Sequence, residues 1–446
     1  MFLYYSVVLV LLVLAGPVLL ASARRRAGIW QKLGVLPRDL PGPGGARPVW
    51  FHAVSVGEFN AVWPLIQAFS ARNPRCPYVV STATQTAQKL ARERCPEGVP
   101  VFYFPLDLPW AVSNWLAALD PALVVIAETE IWPGFMHQCS RRRLPVMVVN
   151  GRISPRSFRG YKRWRLLFGP VLRQFSAIAV QTEADAGRYR AIAGDSLPVH
   201  VFGNLKFDGL TPICGAESEA LARAINLAAC DRVIVAGSTH AGEEAALLDL
   251  LDRLMAQDGA GAAAGPLRLI LAPRHPERWD EVASLVASRG FRVRRYSRGE
   301  GFEGERDVYL LDTIGLLFRY YSLGTIAFVG GTLAPVGGHN LAEPYAYAVP
   351  VICGPHLDKT AESANGLLSA QALSLASNSE ELFATASELL ASPGKRDRLG
   401  RAGQEWLRAS QGAVDRTVAL LESVLAKQYN DLRAEPGHDS GVLSPK

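Results

Sequence analysis

WFHAVSVGEFNAVWPL, residues Trp50 to Leu65, decides how the rest of the chain is read. Its first part, Trp50–Val56, is aromatic and β-branched with no charge, the composition of a parallel strand buried on both faces. A turn at Gly57 then leads into a helix. A strand followed by a helix sets Glu58 beyond the strand's carboxyl end, the edge where open α/β sheets bind ligands. A carboxylate there is a candidate general base. Ser55-Val-Gly-Glu58 also fits S-x-x-E, a helix capping box, in which the glutamate satisfies a free backbone N–H and does no chemistry. Both readings stand on the local sequence.

The chain has 446 residues, which at roughly 100–200 residues per domain predicts two domains with added segments. A hydrophobic fraction of 49% supplies large cores. The net charge of +6 favours an anionic partner. The six cysteines are scattered with no C-x-x-C pair, which excludes a zinc-ribbon pattern and a disulfide framework. Phe2–Ala21 is an uncharged apolar run, and about 20 such residues cross a bilayer as a helix. No Lys or Arg precedes the run, and Arg24, Arg25 and Arg26 follow it. That order predicts an uncleaved N-terminal anchor over 1–23 with the body of the protein on the cytoplasmic side. A basic and Pro/Gly-rich link follows over 24–48.

Strand-like and helix-like segments alternate from there, as in an α/β fold. Tyr78–Ser81 is a strand whose end carries Ser81, Thr82, Thr84 and Thr86, hydroxyls suited to capping a helix or holding an oxyanion. Leu123–Ala127 is a buried strand running into Glu128-Thr-Glu130-Ile-Trp-Pro133. In an extended segment Glu128 and Glu130 share a face, and paired carboxylates at a strand end suit acid/base work or a bound cation. Between Arg141 and Arg173 there are ten basic residues, Arg156, Arg159, Lys162 and Arg163 among them, and no acid. Phe158, Tyr161, Trp164 and Phe168 are interleaved, a composition suited to anionic headgroups. With an apolar anchor upstream, a phosphorylated lipid fits better than nucleic acid.

The alternation restarts after a link at 209–228. Strand Arg232–Ala236 leads to Gly237-Ser238-Thr239-His240 and a helix from about Gly242, whose free N–H groups favour an anion. Further strands end in Pro273-Arg274-His275, Asp312-Thr313-Ile-Gly315, Gly330-Gly331-Thr332 with Gly337-Gly338-His339-Asn340-Leu-Ala-Glu343, and Gly354-Pro355-His356. Each loop follows a strand, so all gather at one edge of a parallel sheet, the place for a nucleotide-type ligand. Four of these loops carry a histidine, but the carboxylate partners of a metal site are sparse, so no metal is expected. Helices near Ser377–Ala391 and Lys395–Ala426 close a second domain over 229–427, and 428–446 reads as a disordered tail.

The motifs HAVSVGE (52–58), ETEIWP (128–133), NGRISPRSF (150–158), GNLKFD (203–208), AGSTHAGEE (236–244), LAPRHPER (271–278), DTIG (312–315) and FVGGTLAPVGGHNLAEP (328–344) together resemble the 3-deoxy-D-manno-octulosonic acid (Kdo) transferases of lipopolysaccharide synthesis. The resemblance runs in order from about Arg47 to His356. It implies a GT-B-type fold, two Rossmann-like domains facing a cleft, in an inner-membrane enzyme that transfers Kdo from CMP-Kdo to a lipid A precursor with inversion. It implies Glu58 as the base; Glu128 and Glu130, from the reading of their pair at the strand end, stand in support. By the same resemblance the domain over 49–208 would bind the acceptor, with Arg156, Arg159, Lys162 and Arg163 meeting its phosphates. The second domain would hold CMP through Ser238, Thr239, Arg274, Gly337, Gly338, Asn340 and Glu343, with the phosphate at helix starts. Neither cofactor nor metal is implied. Leu316 and Thr325 depart from the family pattern, which often has Glu and Asp there. The competing readings are another GT-B sugar-nucleotide transferase or UDP-sugar epimerase, and a membrane-tethered protein that binds anionic lipid without turnover.

Overall fold

The computed structural model describes residues 4–6, 8, 28–37, 40, 46–258 and 265–434. Within it the chain divides into two units, Met1–Gly209 with Gln411–Lys446, and Leu210–Ser410. Each is built on a seven-stranded sheet whose neighbouring strands all run parallel.

The first sheet has strands β1 (Val49–Ala53), β2 (Tyr78–Thr82), β3 (Val101–Tyr103), β4 (Leu123–Ala127), β5 (Val146–Gly151), β6 (Ala177–Val180) and β7 (Val199–Val201) in the order β3-β2-β1-β4-β5-β6-β7. Strand order reverses between β1 and β4, the arrangement of a doubly wound sheet. Alternation along β1 feeds a core on each face. Trp50 packs with Phe102, Phe104, Trp115 and Phe135 on one side, and Phe51 with Phe59, Leu65 and Phe69 on the other. The predicted turn at Gly57 lies two residues earlier. β1 stops at Ala53, and Ser55, in extended conformation, caps the helix Val56–Arg72 by accepting a hydrogen bond from Glu58 N. Gly57 is therefore already helical.

The second sheet has β8 (Arg232–Thr239), β9 (Leu267–Pro273), β10 (Arg292–Arg295), β11 (Asp307–Leu310), β12 (Ile326–Val329), β13 (Val351–Cys353) and β14 (Leu373–Leu375), ordered β10-β11-β9-β8-β12-β13-β14. Its reversal falls between β8 and β12. Two edge strands escape the sequence reading. β10 is RVRR, and its arginines are neutralised from outside the strand: Arg294 by Asp307 at 3.0 Å and Arg295 by Asp312 at 2.6 Å. β14 has only three residues.

Several expected boundaries are corrected. The anchor lies almost wholly outside the described residues, and among those described no helix is long and apolar enough to cross a membrane. Tyr4, at the start of that run, donates its hydroxyl to Asp107. The link at 24–48 includes a helix, Ile29–Lys32, fastened to the first unit: Gln31 accepts from Trp115 Nε1 through its carbonyl and from Tyr103 N through its side chain. The link at 209–228 holds the helix Gly215–Ala224, which belongs to the second unit. The last helix, Ala413–Ala434, runs into the supposed tail and returns to the first unit, where Val414, Val418, Leu421 and Leu425 join the core beneath β1. Residues 435–446 lie outside the described residues.

Asp208 fixes that return. Its carboxylate accepts from Gly412 N at 2.7 Å and from Val414 N. Asp208→Ala leaves both N–H groups without an acceptor, at an expected cost of about 1–3 kcal/mol. Urea unfolding should show a lower midpoint at unchanged slope; an unchanged midpoint would show that the helix docks by apolar packing alone.

Candidate active site

At the reversal point of the first sheet, β1 and β4 deliver three glutamates to one edge. Glu58 is half-buried in the first turn of its helix. Val54 N donates to its Oε2 at 2.7 Å and Ser55 Oγ to its Oε1 at 3.0 Å, while Glu58 N donates to Ser55 Oγ at 3.3 Å. The capping geometry is thus present, shifted by one residue to the N–H of Val54. It uses two of about four lone-pair positions on the carboxylate. Burial raises the proton affinity of Glu58, the Val54 N–H opposes this, and the neighbouring Glu128 charge adds to it. Capping and proton acceptance are therefore compatible: the cap holds the rotamer, and burial brings the group towards neutral pH.

Glu128 departs from the expected extended pair. β4 ends at Ala127, and Glu128 takes a left-handed conformation with φ 55° while its N–H reaches Val149 O at 2.9 Å. That costs a non-glycine residue about 1–3 kcal/mol and recurs where a side chain must be aimed. The i, i+2 argument for a shared face therefore does not apply, yet the carboxylates do meet electrostatically. Glu130 is pushed up to about 7 by burial first, then by Glu58 and Glu128. Lys206, from the short helix Leu205–Asp208, stands 3.9 Å from Glu128. That helix is held by Asn150 at the end of β5, whose Oδ1 accepts from Leu205 N at 3.1 Å. His52 and Ser81 lie beneath this edge. His52 is buried among the rings of Phe104 and Trp132 and is pushed down to about 3 by that burial, so it is neutral. Of the hydroxyl run, Ser81 holds Trp50 Nε1, Thr82 holds Gln88, and Thr84 caps the next helix.

The basic stretch forms the helix Pro155–Arg163, followed by Arg165–Leu172. Ser154 caps the first helix, and the turn before it is pinned by buried Asp185, which accepts from Ile153 N at 3.0 Å. Arg156, Arg159, Lys162 and Arg163 are exposed, and none has a carboxylate partner among the described residues. Tyr161, on the same helix, is close enough to Glu130 to feel its charge. Beyond the helix Trp164 is 62% and Leu166 89% exposed.

In the second unit the loops after β8 and β12 meet at the reversal point. Glu243 joins them. Its buried carboxylate accepts five backbone hydrogen bonds, from His240 N and Gly331 N on one oxygen and from Thr332, Leu333 and Ala334 N on the other, at 2.8–3.1 Å. Glu244 is also buried and binds Arg278 at 2.8 Å. The start of the helix Glu243–Asp258 thus carries two carboxylates of its own, and one of them takes the N–H groups of His240 and of Gly331, Thr332, Leu333 and Ala334 in the loop after β12. His240 Nε2 and His339 Nε2 lie 2.8 Å apart with ring planes 4° from parallel. Gly331, at φ 70°, passes so close that a Cβ there would lie 3.0 Å from the His339 ring. Among the described residues no cluster of three or more His, Cys, Asp or Glu side chains is disposed to hold a metal.

The expected nucleotide contacts divide. Ser238 takes φ 56°, and Gly337 and Gly338 take φ 101° and 84°. Arg274 is exposed and has no carboxylate partner among the described residues. Asn340 Nδ2 donates to Glu343 Oε1 at 3.1 Å, and burial pushes Glu343 up to about 7. Thr239 differs: it is wholly buried, its hydroxyl beneath the edge and not at its surface. Asp312 of DTIG is structural, accepting from Ser297 N, Ser297 Oγ and Arg295. Thr325 supplies a hydroxyl that accepts from Val233 N at 2.9 Å. Sequence reasoning missed Lys206, Glu243 and the histidine pair. Glu243 had a signal: it follows His240 by three residues, as Glu58 follows Ser55. The histidines were placed at one edge by their loops, but which two would pair had no signal across 99 residues.

Comparison with known proteins agrees with the motifs. Residues 24–209 match the family described as 3-deoxy-D-manno-octulosonic-acid transferase (kdotransferase). The 3-deoxy-D-manno-octulosonic acid transferase of Haemophilus influenzae is 32% identical over 436 residues, covering 96% of this chain and 99% of that protein. That of Bordetella pertussis is 33% identical over 417 residues, covering 90% and 94%. Among solved structures, the UDP-GlcNAc 2-epimerase of Neisseria meningitidis bound to UDP-GlcNAc superposes with a TM-score of 0.55 at 14% identity, covering 85% of this chain and all of that one. At that identity the likeness concerns the fold alone.

The proton affinity of Glu130 has a measurable consequence. Its pKa rises from 4.5 to about 7 on folding, so between those values the folded chain binds more protons than the unfolded one. Stability from this group is present below pH 4.5 and is lost as pH rises through about 7. Glu130→Gln should flatten the fall in melting temperature between pH 5 and about 7.5. An identical pH profile in both proteins would show that Glu130 titrates normally.

Proposed function

The chain belongs to the 3-deoxy-D-manno-octulosonic acid transferase family, and on that premise we propose that it moves Kdo from CMP-Kdo to a phosphorylated lipid A precursor, inverting the anomeric carbon. The observation that carries the reading is Glu58: a carboxylate fixed by its own helix cap at the sheet's reversal point, with its proton affinity raised. The acceptor hydroxyl attacks the anomeric carbon as the bond to the CMP phosphate breaks, and Glu58 Oε takes the hydroxyl proton. Lys206 opposes the rise in Glu58's proton affinity and so favours its ionised form. A protonated Glu130, with its pKa at about 7, would relieve repulsion at the same edge.

In this reading the second unit holds the donor. Arg274 answers negative charge, Asn340 and Glu343 meet polar groups of the nucleotide, and the glycine backbone at Gly337 and Gly338 lets the ligand approach closely. Ser238, near the end of β8, is assigned to the same ligand. The acceptor's phosphates fall to Arg156, Arg159, Lys162 and Arg163. The exposed Trp164, Leu166 and Leu167 next to these charges suit a bilayer interface. With the apolar run before Arg24–Arg26, they support a protein anchored at the bacterial inner membrane with both units on the cytoplasmic side.

Glu58→Gln separates capping from catalysis. Glutamine can still accept from Val54 N, so the mutant should fold, melt close to wild type and bind CMP. Losing the base should lower turnover by at least about 10²-fold. Turnover near wild type would move the role to Glu128 or Glu130. CMP should protect the protein thermally where UDP does not; the reverse would favour a UDP-sugar enzyme on the same fold.

Neutralising Arg156, Arg159, Lys162 and Arg163 should raise the acceptor KM and spare CMP binding. Exposed charges are screened over about 8 Å at physiological ionic strength. Added salt should therefore raise the acceptor KM in wild type far more than in the neutralised protein. Equal salt dependence would rule out this helix as the phosphate contact.

A further inference from the structure

We propose that the His240–His339 pair grips the phosphate of the cytidylate donor, takes up one proton as it binds, and gives that proton to the oxygen on which charge develops as the sugar departs. The inference rests on the reading of the second unit as the donor site.

The geometry begins with the sheet. His240 follows β8 and His339 lies in the loop after β12, so the pair straddles the reversal point, where a doubly wound sheet binds its ligand. Two Nε2 atoms 2.8 Å apart require one donor and one acceptor, so a single proton lies between the rings. The surroundings make that pair a receptor for an anion. His339 is within reach of the charges of Arg274, Lys359 and His275, and His240 of those of Glu243, His275, Glu244 and Arg278. Both glutamates are consumed, Glu243 by five backbone N–H groups and Glu244 by Arg278. Arg274 and Lys359 have no carboxylate partner among the described residues. Lys359 packs against Gly337, where a Cβ would lie 3.0 Å from its Cγ. The charge left over is positive.

One competing anion site in these loops is closed. The N–H groups of Gly331, Thr332, Leu333 and Ala334, which could cradle a phosphate, already hold the Glu243 carboxylate. The side chains that offer an anion positive charge or N–H donors around His339 are the two imidazoles, Arg274 and Lys359. Without it, burial and the nearby cations keep His339 neutral, down to about 4. A phosphate within hydrogen-bond reach favours the charged imidazole and reverses that effect. The doubly nitrogenous site then carries one extra proton. In the reaction the bond between the anomeric carbon and the phosphate oxygen breaks with its electron pair going to oxygen. The imidazolium proton moves to that oxygen, CMP leaves as its monoanion, the pair returns to neutral, and Glu58 holds the proton of the acceptor hydroxyl. The charge that appears on the leaving phosphate is met by a donor already in place, which is the form of stabilisation that lowers a barrier.

The test is calorimetry of CMP binding to the full chain at pH 7.5, in buffers of differing ionisation enthalpy. A phosphate monoester with its second pKa near 6 is already dianionic there, so proton uptake reports on the protein. Wild type should take up close to one proton with CMP and none with cytidine. His339→Gln and His240→Gln should each abolish the uptake and weaken CMP by about 10–100-fold, as for loss of a charge-assisted hydrogen bond. CMP binding to wild type with no proton uptake, or uptake that persists in both variants, overturns the proposal while leaving the donor reading intact. Failure of wild type to bind CMP at all overturns the donor reading and this inference with it. Should either variant fail to fold, His339→Asn and His240→Asn take its place, with the same outcomes.

Discussion

Parallel pairing is the constraint on which the structure depends. A parallel strand cannot return by a hairpin; the chain must cross over, through a helix, before the next strand begins. Every strand of each sheet therefore ends at the same edge, and every loop that follows a strand opens there. Residues far apart in sequence, such as Glu58 and Glu130, or His240 and His339, become neighbours because the crossovers leave them nowhere else to go. The reversal of strand order, between β1 and β4 in one sheet and β8 and β12 in the other, splays adjacent loops and leaves space between them.

The buried carboxylates show how that edge is held in shape. Glu243 sits where the loop N–H groups would otherwise bind a free anion, and it satisfies five of them at once. Asp185 does related work below the basic helix, taking Ile153 N and Arg188 together. Asp208 ties the returning C-terminal helix to the first unit. In each case a charge is removed from water and repaid by several directed hydrogen bonds, the condition under which burying a carboxylate is tolerable. These loops are short of regular structure but not of bonds, which gives the candidate site a rigid frame.

The two edges differ in electrostatics. In the first unit three carboxylates crowd one place with Lys206 as their near cation, and burial first, then mutual repulsion, raises the proton affinities of Glu58 and Glu130. In the second, His339 is buried where cations and imidazoles gather, so burial first and those charges next make it lose its proton readily. The first edge holds protons on oxygen; the second is short of negative charge.

Much of this was legible in the residues. The uncharged β-branched runs at Trp50, Leu123 and Val146 announce buried parallel strands, because only a strand covered on both faces can be apolar at every position. The S-x-x-E spacing announced the cap at Glu58, and the motif set announced the family. What the sequence by itself could not determine was anything that depends on distance between crossovers. It put Glu128 and Glu130 on one extended face, whereas Glu128 turns left-handed and the two carboxylates share their edge with Glu58. It offered Thr239 to the ligand, and the strand runs on to bury it. It left the final helix in the second domain, although its apolar face completes the core under β1. Local pattern records which residues prefer to be buried or to cap a helix; only the tertiary structure decides which buried face, and which loop, they meet.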